Sequence, residues 1–207
     1  MAEKKKLIII GASGHGKVIA DMASSLGYKD ISFLDDNTSN HHCMEFPVLG
    51  TSKDAVNYLG ADFIVAIGNA AVRERIQNEL STTGLKITTL IHPKAIVSSR
   101  SKVGKGTVIM AGAVVNPDSI IGDGCIINTG ATVDHDNRID NYAHISVGSH
   151  LAGTVSIGKR TWIGAGAIVS NNIKICADCM IGAGAVVVKD IDCSGTYIGV
   201  PAKRKEI

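Results

Sequence analysis

From Ile91 onward, every sixth residue is aliphatic. The series runs Ile91, Val97, Val103, Ile109, Val115, Ile121, Ile127, Val133, Ile139, Ile145, Leu151, Ile157, Ile163, Val169, Ile175, Ile181, Val187, without a slip. Four residues beyond each of these stands a second restricted position. It begins Ala95, Ser101, Thr107, Ala113, Ser119, Cys125 and Ala131, and departs from Ala, Ser, Thr or Cys only at Asn137, Val155 and Ile173. A period of six fits neither a helix of 3.6 nor a strand of 2. It fits a prism of short flat strands, with the aliphatic pointing inward and the small residue near a corner. Glycines such as Gly104, Gly122, Gly158, Gly164 and Gly182 relieve the bends. Three hexads make one coil of 18 residues, so residues 18 apart stack.

Residues before 91 follow another pattern. Leu7-Ile8-Ile9-Ile10 is a buried-strand run, and Gly11-Ala12-Ser13-Gly14-His15-Gly16 follows it. Lys17 to Leu26 is predicted helical, with Val18, Ile19, Met22 and Leu26 on one face and Gly27 as its stop. Ile31 to Leu34 is a second strand ending in Asp35-Asp36; Phe63 to Ile67 is a third, after which Gly68-Asn69 opens a helix holding Arg73. This is a βαβ start whose glycine turn leads into a helix N-terminus, a natural seat for phosphate. The spacing is Gly-x-x-Gly-x-Gly, not the dinucleotide Gly-x-Gly-x-x-Gly. Asp35-Asp36 suits a ribose, a pyrimidine imide or another sugar. The division is an α/β Rossmann-like domain over 1–90 and an all-β solenoid with a carboxyl-terminal tail over 91–207.

Composition narrows the classes. The chain has 207 residues, 45% hydrophobic but only 4% aromatic, with 23 glycines, which suits thin regular layers. A net charge of +2 does not point to nucleic acid. No stretch approaches the ~20 apolar residues of a membrane span. Five cysteines without framework spacing fit a reduced, cytoplasmic protein. Lys4-Lys5-Lys6 and Lys203-Arg204-Lys205 are expected to be solvated termini. Cys176 and Cys179 have the spacing of a zinc or redox pair. Cys179 and Cys125 nevertheless occupy the small corner position, and no second pair exists, so no metal is expected.

The hexad repeat over about residues 91–202 resembles the hexapeptide-repeat acyltransferases. That resemblance implies a left-handed parallel β-helix, a homotrimer, and acyl-CoA in the groove between subunits. The opening strand with Gly-Ala-Ser-Gly-His-Gly, the Phe-Leu-Asp-Asp strand end and Ile-Gly-Asn resemble the bacterial nucleotide-sugar N-acetyltransferases of the PglD type, with the sialic acid O-acetyltransferases of the NeuD type close by. The likeness runs essentially end to end. It implies acetyl transfer from acetyl-CoA to the 4-amine of a UDP-linked 4-amino-4,6-dideoxy sugar in bacterial glycan or glycoprotein synthesis. The other activity it leaves open is O-acetylation of sialic acid or another free sugar. The nucleotide sugar would be held by Gly11, Ser13, Gly14, His15, Gly16, Asp35, Asp36, Gly68 and Asn69.

Acetyl transfer needs a proton acceptor, donors for the carbonyl oxygen and exclusion of water. A histidine is the economical base. His135 falls outward near a corner, with Asp136 beside it to orient the ring. The family carries a His-Glu pair there; Asp136 is one methylene shorter. Asn128 and His144 are expected to position the reactants, His144 stacking under Trp162 by the 18-residue rule. Gly153 lies 18 residues above His135, and its N–H is a candidate oxyanion donor. Ser146, Ala165, Gly166, Ala183 and Gly184 would form a smooth wall for pantetheine, and Lys189 and Lys203 would meet its charged end. A zinc lyase using His135, His144 and His150 is the rival enzyme on the same helix, a non-catalytic sugar-nucleotide sensor the third class.

Overall fold

The computed structural model describes residues 5–206, so Lys4 of the amino-terminal basic run lies outside the described residues. The chain divides into two compact units, residues 1–92 and 93–207.

The first unit is a parallel four-stranded sheet with helices. Its elements are β1 (Lys6–Ile10), α1 (Gly14–Ser25), β2 (Asp30–Leu34), a short antiparallel pair β3 (His42–Cys43) and β4 (Phe46–Pro47), β5 (Asp62–Val65), α2 (Ala70–Thr82) and β6 (Lys86–Ile87). The sheet order is β2-β1-β5-β6. Leu7, Ile8, Ile9 and Ile10 of the central strand are all buried, which explains their unbroken apolar run. Burying each such side chain contributes about 1.5–3 kcal/mol.

Helix α1 begins three residues before the predicted Lys17. Ser13 takes the N-cap conformation, and the Lys17 amide donates to the Ser13 carbonyl at 3.0 Å, closing a first turn that contains His15 and Gly16. Gly27 follows the helix at φ +88°, where an L side chain is disfavoured. Strand β5 ends at Val65 rather than Ile67. The Ala66 amide still reaches the Ile10 carbonyl at 2.7 Å, but Ile10 is the last residue of β1. Helix α2 is capped by Asn69, whose Oδ1 accepts from the Val72 amide at 3.0 Å. Lys5 and Lys6 are not merely solvated: Lys5 pairs with the buried Asp62 at 3.0 Å and Lys6 with Asp30 at 3.3 Å.

The second unit is a three-sided solenoid. Two-residue strands pair in parallel with partners 18 residues away, as in Val108↔Ile126, Thr132↔His150 and His144↔Trp162. One face is the six-stranded sheet through Ile96, Val114, Thr132, His150, Ile168 and Val186; another is the five-stranded sheet from Lys102 to Lys174. Inward aliphatics such as Ile109, Ile127, Val133, Ile145, Ile163 and Ile181 are fully buried. The small corner positions Ala113, Ala131, Ala143, Ala167, Ala185, Ser119, Thr107, Thr161 and Cys125 are buried as well.

From Gly106 to Gly184 each corner turns through one residue in the left-handed region. On the corner between the Thr132 and Arg138 strands that position holds Asp118, Asp136, Thr154 and Asn172, with φ between 59° and 63° at three of them and 61° at Thr154. On the corner after Ile127 it is always glycine: Gly112, Gly130, Gly148, Gly166 and Gly184. Asp and Asn tolerate this conformation better than other non-glycine residues, so the first corner carries side chains where the other is bare.

Candidate active site

The turn after Val133 carries His135. Its side chain is 54% exposed, and its Nδ1 lies 2.8 Å from Asp136 Oδ2. The shorter carboxylate reaches the ring because Asp136 sits at φ 59°, in the left-handed position of the turn. The hydrogen bond that His135 donates to Asp136 raises the imidazole pKa above its ordinary 6.5; desolvation opposes it, and the charges of Asp134 and Asp136 add to the rise. With Nδ1 engaged as the donor to a carboxylate, Nε2 is the proton-accepting atom.

Nε2 faces Gly153, in the turn one coil further on. A methyl group on Gly153 would stand 2.6 Å from Nε2 and 2.7 Å from Cε1. The absence of a side chain there leaves Nε2 uncovered on that side.

Sequence reasoning assigned no role to the residues beneath the histidine. Asp134 Oδ1 accepts from the His135 amide at 2.8 Å and from Asn116 Nδ2 at 2.9 Å. The Asn116 bond, then the His135 amide, hold the Asp134 carboxyl below its usual range. Asn116 and Asp134 are 18 apart, so the stacking rule contained the signal.

A second cluster lies at the corner before the Thr132–Val133 strand and on the adjoining eight-stranded face. Asn128 Nδ2 lies 3.1 Å from His144 Nε2, and the Thr129 amide donates to Asn128 Oδ1 at 2.8 Å. The buried His144 ring stacks on Trp162 with centroids 4.8 Å apart and planes at 25°. Within one chain, the Asn128 turn precedes the Thr132–Val133 strand and the His135 turn follows it. The three histidines of the zinc alternative do not gather. His135 is bonded to Asp136, His144 to Asn128 and His150 to Thr132 at 2.9 Å. Among the described residues no group of three potential ligands stands together.

On the glycine corner, Ala165, Gly166, Ala183 and Gly184 are exposed, and nothing lies within 4 Å of a methyl placed on Gly166 or Gly184. Each glycine amide bonds the coil before it, Gly166 to Val147 at 2.9 Å and Gly184 to Ala165 at 2.8 Å. Ser146 is buried one coil earlier, its carbonyl accepting from Ser149. Lys189 and Lys203 are exposed.

In the first unit, three strand tips gather at the carboxyl edge of the sheet. The Gly11 amide donates to the Leu34 carbonyl at 2.8 Å, and the Ala12 amide to Asp35 Oδ2 at 2.6 Å. The other Asp35 oxygen accepts from the Asn37 amide at 2.8 Å. Asp35 therefore braces the glycine turn with one oxygen and its own following loop with the other. Asp36 is exposed; one of its oxygens takes the Ser52 amide at 2.8 Å, and Ser52 holds its pKa low. Gly11 has φ +107°, and a methyl on Gly16 would collide with the Gly11 carbonyl. Ser13 and Gly14 are exposed at the helix start. Arg73 Nη1 donates to the carbonyls of Ile67 and Gly68 at 2.7 and 2.9 Å, fixing the third tip beside exposed Asn69. Burial, and then the charge of Arg73, hold His15 at a pKa of about 4.

Comparison with known proteins places this geometry. Residues 6–80 match the family described as the PglD N-terminal domain, and residues 100–135 and 154–189 match the bacterial transferase hexapeptide repeats. The acetyltransferase domain of PglB from Neisseria gonorrhoeae FA1090 is 44% identical with a TM-score of 0.94, and the match covers 97% of this chain and 100% of that one. The chain belongs to the PglD-type hexapeptide-repeat acetyltransferases. Its solenoid is accordingly the left-handed β-helix of that family. A variant of perosamine N-acetyltransferase from Caulobacter crescentus, solved in complex with CoA and GDP-perosamine, is 37% identical with a TM-score of 0.93 over 99% of both chains. UDP-N-acetylbacillosamine N-acetyltransferase of Bacillus subtilis (strain 168) is 38% identical over 113 residues. That match spans about half of this PglD-type chain and about half of the relative, 52% of each.

Proposed function

We propose that this protein transfers an acetyl group from acetyl-CoA to the 4-amine of a nucleotide-linked 4-amino-4,6-dideoxy sugar, with UDP as the carrier and bacterial glycan or glycoprotein synthesis as the destination. His135 is the general base. The observation that carries this is the pairing of His135 Nδ1 with Asp136 at 2.8 Å, which leaves Nε2 free to accept a proton beside the bare backbone of Gly153. The relatives crystallised with acetyl coenzyme A and with CoA plus GDP-perosamine support the donor and the acceptor class.

The amine nitrogen attacks the thioester carbonyl and a C–N bond forms. His135 Nε2 takes the proton that this nitrogen sheds. The Gly153 N–H donates to the oxygen as it becomes negative. Collapse breaks the C–S bond, and the proton passes from His135 to the departing CoA sulfur. Asp136 holds the ring and stabilises its charged form. Asn128 and His144, with Trp162 behind the imidazole, position the reactants, and the Gly-Ala-Gly corner receives the pantetheine arm, with Lys189 and Lys203 toward its phosphates. The glycine turn, His15, Asp36 and Asn69 of the first unit hold the nucleotide sugar.

The two clusters lie on different corners of one solenoid, which favours a homotrimer in which one copy's His135 corner meets a neighbour's Asn128–His144 pair. The outer face carrying Ile96, 68% exposed, and Ile168, 43% exposed, supplies apolar area for that contact. Thiol release from acetyl-CoA across a panel of UDP-, TDP- and GDP-linked 4-amino sugars and free sialic acid tests the proposal. Turnover with a nucleotide-linked amine supports it; turnover with free sialic acid alone overturns it in favour of O-acetylation.

A further inference from the structure

Down one corner of the solenoid, at intervals of 18, the small-residue position holds half-buried Ser101 and then buried Ser119, Asn137, Val155 and Ile173. The column changes from hydroxyl to amide to hydrocarbon, and the amide falls in the coil that carries His135. Asn137 is fully buried and has four polar contacts. Its Nδ2 donates to the Asp134 carbonyl at 2.7 Å, to the Ala152 carbonyl at 3.0 Å and, at 3.4 Å, to that of His135. Its Oδ1 accepts from the Val155 amide at 3.1 Å. The serines below do less. Ser119 Oγ donates to the Asp134 carbonyl at 2.6 Å and accepts from the Asn137 amide at 3.3 Å, and Ser101 Oγ donates to the Asn116 carbonyl at 2.8 Å.

We propose that Asn137 is a positioning residue that sets the spacing between the His135 turn and the Gly153 turn. A primary amide has two hydrogens on one nitrogen, so it joins a carbonyl of its own turn to one of the turn above; a hydroxyl has one. Asp134 and Ala152 are the residues directly before His135 and Gly153. The amide therefore links the two walls between which the proton moves. The corner backbone already bonds the Thr154 amide to the His135 carbonyl at 2.9 Å, on the far side of both residues. Together the two links bracket the pair, and the bracket has no polar side chain above it, where Val155 follows. A misplacement of about 1 Å in a reacting pair costs about 10²-fold; loosening one of two links is expected to cost about tenfold.

This inference rests on His135 acting as the base, and its test separates the two. Wild type, Asn137→Ser, Thr107→Ala and His135→Ala are compared for kcat, KM, pH profile and melting temperature. Thr107 is a buried corner residue elsewhere whose hydroxyl donates to the Gly122 carbonyl at 2.7 Å and accepts from the Cys125 amide at 3.0 Å, so Thr107→Ala reports the cost of losing corner bonds away from the His135 turn. Asn137→Ser is expected to lower kcat about tenfold with KM for acetyl-CoA changed less than about twofold. It should also move the acid limb of kcat/KM to lower pH as the turn loosens. Thr107→Ala should melt earlier with wild-type kcat. If Asn137→Ser does not fold, Asn137→Cys replaces it, since the chain already places Cys125 and Cys179 in corner positions. Wild-type kcat and pH profile in a folded Asn137 variant would overturn the inference, as would loss of folding in both variants, which makes the residue a requirement of the fold. Wild-type turnover in His135→Ala would instead remove the base assignment beneath it.

Discussion

Gly153 stands against the imidazole of His135, eighteen residues earlier, so closely that a methyl group added to it would lie 2.6 Å from Nε2. The nearest atoms to that methyl are those of an exposed side chain, with Asn171 Nδ2 next at 3.4 Å, and not backbone. Gly153→Ala is therefore expected to fold with a melting temperature near wild type while losing about 10²-fold or more in kcat, because the ring must swing off Asp136. Steady-state rates beside thermal melts check this. A variant with wild-type turnover would show that Nε2 does not work in that position.

The carboxylate of Asp136 raises the pKa of His135 chiefly through its hydrogen bond. In its proposed role as base His135 acts unprotonated, so kcat/KM should rise with pH through a value above the ordinary 6.5 of histidine. Asp136→Asn keeps a residue suited to φ 59° and removes the charge. Its ascending limb should shift to lower pH, and its plateau should fall about tenfold or more as the ring loses orientation. A limb that stays in place would detach Asp136 from the titration.

His15 makes the opposite prediction for stability. Burial first, and then Arg73, lower its pKa from 6.5 to about 4 in the folded chain, and its Nε2 is buried without a hydrogen-bond partner among the described residues. Between these values the unfolded chain binds a proton that the folded chain does not. Stability should therefore fall as pH drops from about 6.5 toward 4. His15→Asn removes this titrating group, so the melting temperature of the variant should decline less than that of wild type between about pH 7 and about pH 4.5. Equal declines would mean that His15 is protonated in the folded state.

Much of the candidate site is legible in the hexad register of the sequence. The 18-residue stacking placed His144 against Trp162 and Gly153 over His135, because a prism with two-residue strands permits no slip of register. The same rule held Asn116 over Asp134, but their bond was missed because neither residue stood out chemically. Asn137 was visible only as an exception among small corner residues; which carbonyls its amide meets depends on turn geometry that a period does not encode. In the first unit, the Asp35-Asp36 pair was legible as a strand end. That Asp35 spends both oxygens on the Ala12 and Asn37 amides was not, since it follows from where the glycine turn passes. The start of α1 at Gly14 is not legible for a related reason: two glycines in the first turn lower helix propensity, yet the Lys17 amide reaches back to the Ser13 carbonyl and closes that turn.

The pair of clusters yields a further prediction. His144 stacks on Trp162 and meets Asn128 through Nε2. Asn128→Ala should raise KM or lower kcat by about tenfold without altering the pH limb set by His135, since no bond joins the two turns in the structure's described contacts. A limb displaced by Asn128→Ala would show that the two corners titrate together.

The most direct measurement is the rate of acetyl transfer by His135→Ala at neutral pH, with the nucleotide-linked amino sugar that the wild type acetylates. The account predicts a fall of about 10²–10⁴-fold in kcat and loss of the ascending pH limb, with the fold intact. Turnover within about twofold of wild type, with the limb still present, would contradict it.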